Sequence, residues 1–252
     1  MTARLDALKA SSERLSSLVG GLSPDHLTMQ SYDSNWSIAD VLSHLGSGAV
    51  IMRNGVDVAV SGQPSDPSFN QSVWDEWNAK SPSAQAADAL TADRALLDRL
   101  AAVTDDERAT LRYALGPMQI DFDTLVGMRL NEHVLHSWDI GVALRPDETL
   151  PPDATALVID NLEMISRWAS RSDGVERTIG VRTTNPERRL AVKVDAERAP
   201  IVPAPEQAHA DVEMAAEAFI RLVYGRLDPA HTPSEVSDVS TLDQLRGLFP
   251  GV

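Results

Sequence analysis

The sequence predicts an N-terminal all-α four-helix bundle over residues 1–145 and a C-terminal α+β domain over residues 152–252. Three observations carry that prediction. Throughout the first half, apolar residues recur at three- and four-residue spacing, the period of an amphipathic helix. The segment RPDETLPPD, residues 145–153, then places prolines at 146, 151 and 152 and has no apolar periodicity, so the chain breaks there. Beyond it, β-branched residues alternate with polar ones in GVERTIGVRTT and RRLAVKVDA, the period of a strand.

Leu5, Leu8, Leu15 and Val19 share a face and are followed by Gly20 and Gly21, a stop signal, which defines the first helix. LSPDHLTMQSYDSN, residues 22–35, is loop-like with a Ser-Pro-Asp turn. In WSIADVLSHLG, Ser37 is placed to cap the second helix, with Asp40 where a capping box usually has Glu or Gln. Ile38, Val41, Leu42, Leu45, Ala49 and Met52 form its buried stripe, and His44 lies beside it. SGQPSDPS, residues 61–68, breaks the pattern. Residues 71–103 are helical with an interruption at Ser81-Pro82, where Ser caps and Pro takes the first position; Ala86, Leu90, Leu97 and Leu100 mark the inner face. Residues 105–120 read as irregular or partly extended. Asp121 or Asp123 starts the fourth helix, which runs to about Leu144. In the second half, residues 153–171 read as a helix and the two alternating segments as strands. ADVEMAAEAFIRLVYGRL, residues 210–227, reads as a helix with Gly225 near its C-cap, and STLDQLRGLF as a short last one.

Composition narrows the function. The formal charge is −15, from 37 acids against 22 bases, which repels phosphate backbones and anionic lipid; nucleic acid and membrane are discounted as partners. No stretch reaches the ~18 apolar residues of a membrane span. The opening MTARLDALKASSERL lacks the apolar core of a signal peptide, so the expected location is the cytoplasm. There is no cysteine. Disulfides and thiolate ligands are therefore excluded, a bound metal must use His, Asp or Glu, and thiol chemistry must import its sulfur. P-loop, GxGxxG and GxSxG patterns are absent.

Chemistry concentrates in GMRLNEHVLHSWDI, residues 127–140. Residues four apart on a helix lie about 40° apart, so Glu132 and His136 project together; His133 and His136 form a second possible pair. Glu132 and His133 diverge by about 100°. Spacing alone fits either pair. His44, on the second helix, is a third donor from the other side of the bundle, and bundle cores are where such sites are built. His44, Glu132 and His136 together would be the two-histidine, one-carboxylate set of a catalytic zinc with an open position. The same residues have plainer readings: a histidine beside an apolar stripe is ordinarily a hydrogen-bonded core group, and E-x₃-H can be a surface ion pair. His133 reads as packing or facing solvent, and Asp139 as a solvated helix position or a support for a ligand histidine. Trp36, Trp74, Trp77, Trp138 and Trp168 read as core aromatics. Of the arginines at 182, 188, 189, 221 and 226, one could meet a substrate carboxylate bidentately.

NWSIADVLSHLG, LNEHVLHSWDIGVAL and the C-terminal half ending in LVYGRLDP resemble the mycothiol-dependent maleylpyruvate isomerase family, across essentially the whole chain. Its N-terminal domain belongs to the DinB-like four-helix superfamily. The resemblance implies a divalent metal, usually zinc, on His44, Glu132 and His136, which decides for Glu132 over His133. It also implies mycothiol as cosubstrate and, at Gly225-Arg226, a substrate-side arginine, Arg226. The family is mixed, holding isomerases and thiol S-transferases. The expectation is therefore a metal-dependent enzyme adding a low-molecular-weight thiol to a small electrophile, as S-transferase or cis–trans isomerase. A non-catalytic metal or small-ligand binding module and a metal-dependent hydrolase are the alternatives.

Overall fold

The leucine stripe of the first segment is buried: Leu5, Leu8 and Leu15 face inward along helix α1, Ala3–Gly20, whose N-terminus is capped by the Thr2 hydroxyl accepting from Leu5 N–H. The structure, a computed structural model, describes residues 2–251. It divides into two compact units, the first ending at Glu148 and the second beginning at Thr149.

The first unit is largely helical. After α1 come a single turn, α2 (Pro24–Leu27), and the long α3 (Ile38–Ser61). The α3 entry is a complete capping box: Ser37 Oγ accepts from Asp40 N–H at 3.2 Å, and Asp40 Oδ2 accepts from Ser37 N–H at 2.9 Å. Gly62, at φ 67°, ends the helix in the left-handed conformation that favours glycine. Helices α4 (Phe69–Asn78) and α5 (Pro82–Ala101) are separated at Ser81, whose hydroxyl caps α5 ahead of Pro82. A short α6 (Asp105–Thr110) leads to α7 (Phe122–Leu144), which is capped by Asp121.

Packing follows from which side chains are small. On α3, Gly46 lies where a Cβ would come within 2.2 Å of Trp77 Cη2 and 2.9 Å of Ala89 Cα, so glycine lets α3 sit directly on α5 under the Trp77 ring. Leu42, Leu45, Val73, Trp77, Ala86 and Ala89 form the core there. α3 packs most extensively against α5, and α7 most extensively against α1.

Some details depart from expectation. Residues 105–120 are partly extended as expected, in an antiparallel hairpin of β1 (Tyr113–Leu115) with β2 (Met118–Ile120) turned at Gly116, φ 56°, but their first part is the helix α6. Of the tryptophans, Trp77 and Trp138 are buried, but Trp74 is 46% and Trp168 42% exposed. On the ten-residue α4 the buried pair is Val73 and Trp77, four apart; Trp74 is turned about 100° away from Val73 and meets solvent.

The second unit is α+β. α8 (Pro152–Val158) and α9 (Leu162–Ala169) are joined by a 3₁₀ turn, Ile159–Asn161, so the expected helix is jointed rather than continuous. β3 (Arg177–Thr184) and β4 (Arg188–Val194) pair antiparallel, from Arg177 opposite Val194 to Thr183 opposite Arg188. With β5 (Ile201–Pro203) and β6 (Val212–Ala215) they make one sheet in the order β5-β4-β3-β6, β6 running parallel to β3. Residues 210–227 are therefore not one helix. Val212 and Met214 alternate inward as a strand, and helix α10 begins only at Ala216, ending at Val223. Glu, Met and Ala favour helix, but pairing with β3 overrides them. α11 (Val239–Leu248) completes the unit. Among the described residues, no helix is long and apolar enough to cross a membrane.

Candidate metal centre

His44 lies one turn and a half into α3, and Glu132 and His136 lie on successive turns of α7. The structure brings the three together: one donor atom from each falls within 4.8 Å of the others. Glu132 Oε2 is 3.1 Å from His44 Nε2 and 3.5 Å from His136 Nε2. Two ligands held at about 2.05 Å by a tetrahedral ion stand about 3.3 Å apart, so these separations suit a shared cation. Two imidazoles and a carboxylate are a donor set for zinc or another borderline divalent ion.

The orientation of His136 is set from behind. Its Nδ1–H donates to Asp139 Oδ2 at 2.9 Å, which leaves the Nε2 lone pair facing Glu132 and His44. Asp139 is fully buried, not on a solvated face, because α7 is enclosed on almost every side. His44 and Glu132 keep nearly half their side-chain surface, so the centre is open on that side, while His136 is mostly covered. The Trp36 ring, which precedes the α3 cap, lies 5.1 Å from the His44 ring and 5.9 Å from that of His136, stacked on the latter.

Burial would raise the Glu132 carboxyl, but the hydrogen bonds and charges of His136 and His44 hold it well below the usual carboxylate range. Burial would lower the His136 imidazole, yet the Asp139 and Glu132 carboxylates raise it above its ordinary value.

His133 points away from this centre. Fully buried, its Nε2 faces Asp93 Oδ2 at 3.2 Å and its Nδ1 faces Ser11 Oγ at 3.0 Å. Burial pushes this imidazole down, against the upward pull of Asp93; because a carboxylate can only accept, Nε2–H donates to Asp93. Asp93 also accepts from Arg129 Nη2 at 3.1 Å and from the Ser12 hydroxyl, and Arg129 Nη2 reaches the Leu45 carbonyl at 2.9 Å. For Asp93, burial is the largest influence and acts upward, but His133 and Arg129 outweigh it and keep the carboxyl ionised far below its usual range. Sequence reasoning passed over this network. The signal was Asp93 itself, an acid in phase with Ala86, Ala89, Leu96 and Leu100 on the buried face of α5.

Arg226 belongs to the second unit. It follows Gly225, which has φ 72° and where a Cβ would meet Gly251 Cα at 2.4 Å, so glycine is required for that turn. Arg226 Nη1 donates to Tyr224 O at 3.0 Å. Its neighbour Arg221 is buried in a bidentate pair with Glu217. Arg182 pairs with Glu187 and Glu213, and Arg188 with Asp160.

The family model described as the mycothiol maleylpyruvate isomerase N-terminal domain matches residues 8–141. No curated protein matches the chain in sequence. Two solved structures share its fold. The crystal structure of the mycothiol-dependent maleylpyruvate isomerase is 16% identical, with a TM-score of 0.65 and 90% of each chain covered. A mutant of that isomerase with one histidine changed to alanine is 14% identical, with the same score and coverage.

Proposed function

The chain belongs to the mycothiol maleylpyruvate isomerase N-terminal domain family, and from that premise we propose that it is a metal-dependent enzyme that uses a low-molecular-weight thiol on a small electrophile. We read its helical unit as a DinB-like four-helix bundle built on α1, α3, α5 and α7. The thiol is mycothiol by family, and the first-choice reaction is cis–trans isomerisation of a maleylpyruvate-type acid, with S-transfer as the other outcome of the same addition. The observation that carries this reading is the meeting of one donor atom each from His44, Glu132 and His136 within 4.8 Å, with Glu132 Oε2 3.1 Å from His44 Nε2 and 3.5 Å from His136 Nε2.

A divalent cation on these atoms, zinc by donor type, would lower the pKa of a thiol presented to its open position. The remaining work falls to the chain. Asp139 holds the Nδ1 proton of His136 and so keeps the Nε2 lone pair free to bind a cation. The exposed flanks of His44 and Glu132 leave a path for the sulfur, and the Trp36 ring covers the neighbouring side. With no cysteine anywhere, the protein offers no thiol of its own to the electrophile. Arg226 would hold a substrate carboxylate through its fork of N–H groups. Thiolate addition to the cis double bond gives a single bond free to rotate. Elimination then yields the trans isomer and returns the thiol.

The test is metal content and turnover. Protein purified without chelator should carry near-stoichiometric divalent metal, His44→Ala should lose it, and consumption of a maleylpyruvate-type substrate should need both mycothiol and the metal. Metal-free wild-type protein, or unchanged metal in His44→Ala, would overturn the site. Metal uptake without thiol-dependent turnover would overturn the activity and leave a binding module.

A further inference from the structure

The two helices that carry the ligands are not each other's main packing partners. α3 lies chiefly on α5, and α7 chiefly on α1. Yet a metal site tolerates displacements of only about 0.2 Å in its ligand distances. Something must fix the distance from His44 on one helix to Glu132 and His136 on the other.

A network centred on one buried carboxylate connects all four helices. Asp93, on α5, accepts from Ser12 on α1 and from Arg129 and His133 on α7. Ser11 of α1 bonds the other ring nitrogen of His133. The same Arg129 Nη2 that reaches Asp93 donates to the carbonyl of Leu45 on α3, the residue immediately after His44. His133 is immediately after Glu132. The network therefore grips each ligand-bearing helix within one residue of a ligand.

We propose that Asp93, Arg129 and His133 are positioning residues that set the spacing between His44 and the Glu132–His136 pair. Energetics favour this role over simple stabilisation. A buried ion pair seldom adds net stability, and apolar residues of similar size often serve as well or better. The best-attested use of a buried charged network is to set register, because every partner must be met at one geometry. The inference rests on the metal reading above and deepens it.

Cobalt(II), whose visible absorption reports ligand geometry, is the probe, titrated into the full chain. A double variant, Asp93→Leu with Arg129→Met, removes the charges together and leaves neither unpaired. It should keep its thermal midpoint near that of wild type, bind cobalt about tenfold more weakly, and show a shifted, weakened band. Arg129→Lys keeps a charge beside Asp93 but not the planar fork, and should show the same spectral change to a smaller degree. If the double variant does not fold, Arg129→Lys decides. A wild-type band that is unchanged in the folded variants overturns this inference alone. Absence of any band in wild type overturns the metal reading, and this inference with it.

Discussion

Removing the negative charge behind His136 should weaken metal binding by a calculable amount. Asp139 is fully buried and its Oδ2 lies 2.9 Å from His136 Nδ1. A hydrogen bond to a charged group contributes about 1.5–3 kcal/mol, against about 0.5–1.5 for a neutral one. Asp139→Asn preserves shape and can still accept from Nδ1–H through its amide oxygen, so the tautomer survives and only the charge assistance is lost. That difference, about 1–1.5 kcal/mol, is roughly a tenfold rise in the metal dissociation constant. Asp139→Ala also orphans the Nδ1 proton and frees the ring to turn, which should bring the loss toward about 100-fold. The assay is competition for zinc against a chromophoric chelator at fixed neutral pH, with the thermal midpoint measured on the same samples to separate affinity from folding. Wild-type affinity in Asp139→Asn, or equal losses in the Asn and Ala variants, would refute the assignment of His136 orientation to this carboxylate.

Other consequences concern the frame around the centre. Gly46→Ala inserts a methyl 2.9 Å from the Ala89 backbone, which no rotamer change relieves, and should cost about 1–3 kcal/mol despite alanine's better helix propensity; an unchanged denaturation midpoint would show that α3 and α5 separate freely. Ser37→Ala removes half of the α3 capping box and should cost about 1 kcal/mol, read as a lowered thermal midpoint. The Asp93 carboxyl is held below its unfolded value, so its contribution to stability is complete above about pH 4 and fades as the solution becomes more acidic. The stability gap between wild type and Asp93→Asn should accordingly be flat from neutral pH to about pH 4 and narrow below it, and a gap that persists unchanged in acid would contradict the ionised network.

What could be read from the sequence was mostly local. Ser37 with Asp40, Ser81 with Pro82, and Asp121 are caps whose partners lie within three residues, and each starts a helix where expected. The helical first half and the β3–β4 hairpin follow from periodicity over seven or more residues. β1, β2 and β6 have only three or four residues each, too few to show alternation, and β6 exists because β3 lies beside it, thirty residues away in sequence. At the centre itself, α7 defeats periodicity for a different reason. Leu125, Val126, Arg129, Leu130, His133, Val134, Trp138, Asp139 and Ile140 are all buried, and the narrow part-exposed row of Thr124, Met128, Glu132 and His136 is too little to set the phase. Spacing could not choose between Glu132 and His133, and it could not reveal that Asp139 is enclosed; the resemblance alone selected the ligand set.

The position of Trp36 gives the protein an optical readout of its own. An indole resting against two imidazoles should change its emission if a divalent ion binds to those rings. Emission that follows loading, and that falls silent in Trp36→Phe, would let occupancy be watched in solution without a dye, a label or a turnover assay.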